Sequence, residues 1–194
     1  MTTPSRLVLA SGSPRRHQML HDLGLLFQVD PPHLDETPER HESARHYVAR
    51  IAREKAVAVA ARNPGAVVLA ADTTVTAGRR IFGKPENRAE AANMLEALSG
   101  RRHRVLTAIA VVDADGSVYE DMTDTLVKMR PLSPHFIECY TAREENWQGV
   151  AGAYKLQDAW GGALVARVNG SVSGVIGLPL VETLKLLRRC GFDL

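Results

Sequence analysis

Apolar residues recur every three or four positions in several segments of the chain, which is the spacing of amphipathic helices. Residues 43–62 carry the longest such pattern, and residues 87–98 carry a second one that ends shortly before Gly100. Shorter helices are predicted directly after Ser133 and over residues 179–189. The pattern therefore predicts one long helix and at least three shorter ones.

Hydrophobic runs between these helices predict strands. Residues 66–71 are apolar on both faces, as in buried parallel strands, and residues 7–10 form a shorter run of the same kind. Residues 103–112 and 117–128 are typical of the two strands of a hairpin, and a further strand is predicted around residues 163–168. Because helices and strands alternate, the fold class is α/β, and the antiparallel hairpin makes the sheet mixed.

The composition is that of an ordinary globular domain and narrows the classes of function. The chain has 194 residues, of which 45% are hydrophobic and 24% charged, with a formal net charge of +2. This charge is too small to indicate a nucleic-acid polymer or a membrane surface as partner. No apolar run reaches the ~18–20 residues of a membrane span, and residues 1–6 lack the pattern of a secretory signal. Cys139 and Cys190 share no metal-binding or redox spacing, so we expect a reduced, cytoplasmic protein.

The segment Ser11-Gly12-Ser13-Pro14-Arg15-Arg16 joins the first apolar run to a predicted helix start. Ser13 suits the N-cap position, and Pro14 suits the first helical position. A helix N-terminus presents unpaired N–H groups and the positive end of its dipole, both of which attract anions. Arg15 and Arg16 are electrostatically misplaced there unless an anion binds nearby. The segment therefore indicates an anionic ligand, with a surface turn carrying solvated arginines as the alternative.

Three charged residues depart from the pattern around them. Asp72 follows the apolar run 66–71, at the strand end where α/β proteins gather ligand sites, although an aspartate also commonly opens a turn. Lys55 lies on the apolar stripe of the long helix, so it either extends its ammonium to solvent or faces a phosphate. Lys84 precedes Pro85 in a loop that cannot be helical, where a lysine can bind phosphate as a point charge.

Candidate metal ligands are carboxylates rather than histidines or cysteines. Glu36 follows Asp35 in a proline-flanked segment, and with Asp72 it would supply the one or two carboxylates that Mg²⁺ takes from a protein. Of the seven histidines, only His17 and His21 have the HxxxH spacing and none has HxH, and the two cysteines share no metal-binding spacing that would complete such a site, which argues against zinc. The GxxxxGK[ST] and GxGxxG phosphate motifs and the GxSxG nucleophile elbow are also missing from the sequence. If the protein acts on nucleotides, it therefore binds their phosphates without either of these common motifs.

Several short motifs follow one another along nearly the whole chain. They are Leu9-Ala-Ser-Gly-Ser-Pro-Arg-Arg16, Asp35-Glu36-Thr37, Ala52-Arg-Glu-Lys-Ala56, Ala71-Asp-Thr73, Gly83-Lys-Pro85, Leu98-Ser-Gly100, His103-Arg-Val105 with Thr107, Ala151-Gly-Ala-Tyr154 with Gln157, Asn169-Gly-Ser171 and Gly177-Leu-Pro-Leu180. In this order they resemble the Maf family of nucleoside triphosphate pyrophosphatases. Each motif is short, but the combination is specific.

The resemblance implies a fold like that of Maf and inosine-triphosphatase proteins. Such a fold has a mixed, twisted sheet flanked by helices in two lobes, with a deep central cleft, and residues 1–194 would form it as a single domain. The resemblance also implies a homodimer as a common assembly. The implied activity is hydrolysis of a nucleoside triphosphate to the monophosphate and pyrophosphate with a divalent metal ion, Mg²⁺ or Mn²⁺.

The resemblance further implies roles for particular residues. The catalytic aspartate of the family corresponds to Asp72, which is expected to hold the metal together with Glu36. The residues expected to bind phosphate are Ser11, Ser13, Arg15, Arg16, Lys55 and Lys84. In the branch acting on dTTP and UTP, an arginine, a threonine and a glutamine mark substrate choice, and here they match Arg15, Thr73 and Gln157.

Three positions depart from the family pattern. Val150 replaces a lysine that many relatives carry, and Gln157 is flanked by Lys155 and Asp158 where glycines are common. The sequence favours a dTTP/UTP pyrophosphatase that serves nucleotide-pool housekeeping, with a role in cell-division arrest as a further expectation. Two alternatives stay open: a pyrophosphatase for 7-methyl-GTP or other modified nucleotides, and a nucleotide-sensing regulatory protein with little turnover.

Overall fold

Seven strands form one mixed sheet in the computed structural model, which describes residues 6–192. In chain order the strands are β1 (Leu7–Leu9), β2 (Phe27–Val29), β3 (Val67–Ala77), β4 (Arg80–Phe82), β5 (Arg102–Val112), β6 (Val118–Met129) and β7 (Val165–Asn169). Across the sheet their order is β2-β1-β3-β5-β6-β7, with β4 paired to β3 outside this series. β1 is parallel to β2 and β3, whereas β4 and β7 are antiparallel to β3 and β6. The predicted mixed α/β class is confirmed, while residues 1–5, used above to judge the secretory signal, lie outside the described residues.

Seven α-helices accompany the sheet in the described part of the chain. They are α1 (Pro14–Asp22), α2 (Ala44–Ala60), α3 (Arg88–Leu98), α4 (Pro134–Thr141), α5 (Ala159–Gly162), α6 (Val172–Ile176) and α7 (Leu180–Arg189). The side chains of Ser43, Asn87 and Ser133 each accept a hydrogen bond from the N–H three residues later, which caps α2, α3 and α4. The four helices predicted from periodicity are confirmed. Between residues 6 and 192 no helix is both long enough and apolar enough to cross a bilayer.

The central strand β3 is longer than the sequence predicts. The prediction ended it before Asp72, whereas β3 continues to Ala77. Residues 73–76 are all β-branched, which favours extended backbone, and the last three residues of β3 pair with β4 across a turn at Gly78. Asp72 therefore lies inside a strand and not beyond its carboxyl end.

The described chain divides into two compact units. The first unit comprises residues 6–72, 107–123 and 177–192, and the second comprises residues 73–106 and 124–176. β3, β5 and β6 each begin in one unit and end in the other. The core of the first unit is built from apolar side chains of β1, β3, β5, α1 and α7, among them Leu9, Leu69, Ile109, Leu20 and Leu187.

The core of the second unit contains a polar pair among apolar side chains. His103 on β5 and Tyr154, which follows a 3₁₀ turn at Ala151–Ala153, are 2% and 5% exposed. The His103 Nε2 and the Tyr154 hydroxyl oxygen are 2.8 Å apart. Within residues 6–192 the His103 Nδ1 is buried without a hydrogen-bond partner. Burial lowers the pKa of His103 to about 4, so the ring is neutral at physiological pH.

The buried His103 predicts a loss of stability in mild acid. Its pKa of about 4 in the folded state lies below the 6.5 of an ordinary histidine, so the unfolded chain binds the proton first as the pH falls. Protonation of His103 is expected to lower the free energy of unfolding by about 3 kcal/mol as the pH falls from 6.5 to 4, and to have no effect above pH 7. Urea titrations at several pH values measure this decrease.

His103→Phe should flatten that part of the pH dependence. The control is His135→Gln, which changes an exposed histidine of α4 and should leave the dependence unchanged. An equally steep pH dependence in His103→Phe and the wild type would contradict the prediction.

Candidate functional site

A lysine ammonium and two carboxylates meet in the first unit. The Nζ of Lys55 on α2 lies 2.8 Å from Oδ1 of Asp72 on β3 and 3.0 Å from Oε1 of Glu36. Lys55 and Asp72 are 6% and 8% exposed, whereas the Glu36 side chain is 40% exposed. Three of the predicted site residues, far apart in the sequence, are thus in direct contact.

The sequence of α2 explains why this ammonium is buried. Position 55 belongs to the buried stripe of the helix, which also contains Val48, Ile51, Ala52, Ala56 and Val59. Burying an ion costs several kcal/mol unless an opposite charge is supplied. Asp72 and Glu36 supply that charge, so the alternative in which Lys55 reaches out to solvent is wrong.

Two side chains of α2 hold the irregular segment that carries Glu36. The Tyr47 hydroxyl donates a hydrogen bond to the Glu36 carbonyl oxygen at 3.0 Å. Arg50 donates to both carboxylate oxygens of Glu42, at 2.8 and 2.7 Å, which lowers the pKa of Glu42 to about 2. Burial and the negative charges of Asp72 and Glu36 raise the pKa of Tyr47 to about 12, so its hydroxyl remains a donor. Sequence reasoning missed both roles, because Tyr47 and Arg50 lie inside the predicted helix over residues 43–62, whose periodicity does not identify partners outside the helix.

The start of α1 is held by Ser11 and not by the predicted cap. Ser13 occupies the N-cap position and Pro14 the first helical turn, but the Ser13 side chain makes no capping hydrogen bond. Instead, Ser11 Oγ accepts a hydrogen bond from the Ser13 N–H at 3.2 Å and another from the Arg16 guanidinium at 3.2 Å. The Arg16 Nε also donates to the Gly177 carbonyl oxygen at 2.7 Å. The helix start and the arginine therefore have fixed relative positions.

Arg16 lies within electrostatic reach of both carboxylates. Burial is the largest influence on the Arg16 guanidinium and lowers its pKa. The negative charges of Asp72 and Glu36 raise this pKa, and the positive charge of Arg15 lowers it. Arginine begins from so high a pKa that it stays protonated at neutral pH. Hydrogen bonds, ion pairs or charge interactions thus connect all the predicted site residues of the first unit, which are Ser11, Ser13, Arg15, Arg16, Glu36, Lys55 and Asp72.

The other three predicted site residues belong to the second unit. Thr73 is half-buried and follows Asp72 along β3. Lys84 is exposed in the loop after β4, which is irregular as predicted. Gln157 is exposed in the turn that precedes α5. The second unit therefore carries one cation and two polar side chains of the predicted set.

The donor set at Asp72 and Glu36 consists of two carboxylates. In the part of the chain that the structure describes, no group of three or more His, Cys, Asp or Glu side chains could hold a metal ion. Mg²⁺ commonly takes only one or two carboxylates from a protein and completes its octahedron with water and phosphate oxygens. Because Asp72 and Glu36 already approach one cationic group, the pair fits such an ion in charge and donor type.

Comparison with known protein sequences gives matches over nearly the full chain. A model of the family described as Maf-like protein matches residues 6–190. The dTTP/UTP pyrophosphatase of Roseobacter denitrificans is 49% identical over 186 residues, which cover 95% of this chain and 97% of that protein. The dTTP/UTP pyrophosphatase of Caulobacter vibrioides is 45% identical over 193 residues, covering 99% of each chain.

A solved structure shares the fold at much lower sequence identity. The HAM1 protein from Coxiella burnetii superposes with a TM-score of 0.53 at 18% identity, covering 95% of this chain and 99% of that one. The similarity therefore extends over the whole architecture, while the identity is too low to carry an argument about residues.

Replacing Lys55 is expected to destabilise the protein strongly, because Asp72 and Glu36 would lose their counter-charge. Lys55→Met should lower the free energy of unfolding by about 3 kcal/mol, which is typical of breaking a buried ion pair. Arg53→Met is the matched control on the same helix, since the ion pair of Arg53 with Glu120 is exposed, and a loss below about 1 kcal/mol is expected. Urea unfolding followed by circular dichroism measures both. Equal losses would show that the buried pairs of Lys55 do not stabilise the fold.

Proposed function

Because the chain belongs to the Maf-like protein family, we propose that it is a nucleoside triphosphate pyrophosphatase that hydrolyses dTTP and UTP to the monophosphate and pyrophosphate. Relatives that match almost end to end and are named dTTP/UTP pyrophosphatases support this substrate class. The observation on which the proposal depends is the buried Lys55 ammonium between the Asp72 and Glu36 carboxylates. This arrangement combines carboxylates that can accept a proton with a cation that can face phosphate.

Asp72 is the proposed general base. Its carboxylate is buried, and the Lys55 ammonium offsets its charge. In the proposed step, a water molecule held by Asp72 attacks the α-phosphorus and gives its proton to the carboxylate. The bond from the α-phosphorus to the bridging oxygen breaks, and its electron pair leaves with pyrophosphate.

The proposal includes a divalent metal ion, Mg²⁺ or Mn²⁺, held by Asp72 and Glu36. Such an ion, when bound, neutralises phosphate charge and polarises the phosphoryl group. The chain's own contribution is to fix the donors. Tyr47 and Arg50 hold the segment of Glu36, and β3 holds Asp72 in extended backbone.

Cationic side chains are proposed to bind the triphosphate and stabilise the leaving pyrophosphate. In the first unit these are Arg15 and Arg16, in the first turn of α1, and Lys55 on α2; in the second unit Lys84 has the same role. Positioning and charge stabilisation account for most of the catalysis in phosphoryl transfer, so several cations suit this reaction.

Hydrogen bonds from Thr73 and Gln157 are proposed to select the pyrimidine base, with Arg15 also contributing to substrate choice. A site that hydrogen-bonds one base leaves its polar groups unpaired with another, and this difference produces discrimination. Thr73 is half-buried and Gln157 is exposed.

One observation favours a second candidate, a nucleotide-sensing protein with little turnover. Val150, at the position where many relatives of the family have a lysine, is 4% exposed and contributes to packing. At this position the chain therefore lacks the cation of those relatives, and weaker charge stabilisation of the transition state would slow hydrolysis more than it would weaken binding.

The assignment of Asp72 predicts a large loss of activity on its replacement. Asp72→Asn removes the proton acceptor but keeps the size of the side chain, so pyrophosphate release from dTTP should fall at least ~100-fold. Asp115→Asn, in the exposed turn between β5 and β6, is the control and should retain wild-type turnover. A coupled assay for pyrophosphate measures both variants, and near wild-type turnover by Asp72→Asn would refute the assignment.

The substrate class predicts the outcome of a nucleotide panel. With Mg²⁺, release of pyrophosphate from dTTP and UTP should exceed that from CTP, GTP and 7-methyl-GTP by about tenfold or more. Chelation with EDTA should abolish release, and added Mg²⁺ or Mn²⁺ should restore it. A preference for 7-methyl-GTP would favour the modified-nucleotide alternative, whereas tight binding of dTTP without product would favour the sensor.

A further inference from the structure

Two polar side chains in the core of the second unit have no part in the proposed reaction. The hydrogen bond between His103 and Tyr154 joins β5 to the segment after the 3₁₀ turn, and the two rings meet edge to face with centroids 5.6 Å apart. One nitrogen of His103 has no hydrogen-bond partner within residues 6–192. A pair of apolar side chains would fill this space without the cost of an unpaired polar atom. The pair therefore points to a requirement other than stability.

Tyr154 lies between two loops that carry proposed substrate-binding residues. Three residues after it comes Gln157, proposed to read the base. Two residues before it, Gly152 donates its N–H to the carbonyl oxygen of Gly83 at 3.1 Å, and Gly83 is the neighbour of Lys84. We call residues 152–157 the Tyr154 segment. Its backbone thus connects the loop of Lys84 to Gln157.

Close packing fixes the backbone on both sides of Tyr154. Gly152 has a φ of +72°, and a Cβ there would approach the Val75 side chain to 3.1 Å. A Cβ at Gly161 would overlap the carbonyl oxygen of Lys155. Because the chain has so little clearance at these two points, a displacement of Tyr154 must be accommodated by the residues between them, which include Gln157.

We propose that His103 and Tyr154 are positioning residues that hold Gln157, and through Gly152 the loop of Lys84, in the geometry needed to select and bind the nucleotide. This inference rests on the proposed function of Gln157 and Lys84. Without the His103–Tyr154 hydrogen bond the two rings still pack against each other, but the Tyr154 segment can occupy several positions. Base selection suffers most, because it depends on hydrogen bonds from a correctly placed Gln157.

Tyr154→Phe tests the proposal by removing only the hydroxyl group. Steady-state pyrophosphate release from dTTP and dCTP gives the ratio of the two kcat/KM values. This ratio should fall about five- to tenfold in Tyr154→Phe, with a rise in the KM for dTTP that exceeds the decrease in kcat. Thr141→Val is the matched control: it removes another buried hydroxyl of the second unit, which donates to the Ile137 carbonyl oxygen at 2.8 Å, and it should keep the wild-type ratio.

Combining substitutions tests whether Tyr154 acts through Gln157. In a Gln157→Ala background, adding Tyr154→Phe should change the ratio by less than about twofold, because coupled residues are not additive. His103→Gln, which keeps a hydrogen-bonding side chain, should retain more discrimination than His103→Phe. Independent, additive effects of Tyr154→Phe and Gln157→Ala would overturn the proposal.

Amide hydrogen exchange of residues 152–161 gives a readout that needs no turnover. Exchange should be faster in Tyr154→Phe and unchanged in Thr141→Val. A wild-type dTTP/dCTP ratio in Tyr154→Phe overturns the proposal, whether or not exchange is faster.

Failure of the wild type to release pyrophosphate from dTTP would instead contradict the proposed function. In that case, discrimination is measured as the ratio of the dissociation constants for dCTP and dTTP. If Tyr154→Phe leaves this ratio unchanged, the inference about Tyr154 is also overturned.

Discussion

A lysine ammonium on the buried stripe of a helix needs an opposite charge, and this requirement organises the first unit. Lys55 on α2 obtains it from Asp72, inside β3, and from Glu36, in an irregular segment. An uncompensated buried ion costs several kcal/mol, so α2, β3 and that segment must adopt matching positions. The contacts that relieve this cost also bring together the two carboxylates proposed to act on the substrate.

The same unit holds its positive charge in fixed positions. Arg16 is tied to Ser11 and to the Gly177 carbonyl oxygen, and Arg15 adjoins it at the N-terminus of α1. With Lys55, three cationic side chains accompany two carboxylates, an excess that suits a polyphosphate ligand. Side chains fixed in this way lose little entropy on binding, so more of the interaction energy is available for the transition state.

The core of the second unit contains a hydrogen-bonded polar pair and closely packed backbone. His103 and Tyr154 form a neutral pair there, Gly161 allows a backbone approach that a Cβ would prevent, and Gly152 lies close to the Val75 side chain. Gln157, which is proposed to read the base, is exposed, so its position depends on such buried anchors. Affinity for phosphate and selection of the base would then depend on different physical interactions.

The sequence by itself determined the long helices and strands and identified the charged residues that break an apolar pattern. The helix at 44–60 and the strands of the hairpin span enough residues for their periodicity to be recognised. Lys55 stands out as a charge on an apolar stripe, and Asp72 as a charge that follows an apolar run. Only the tertiary structure decided that β3 continues past Asp72, that β2 and β4 exist, and that Tyr47 holds Glu36. Three-residue strands and single hydrogen bonds depend on partners distant in the chain, which local patterns do not encode.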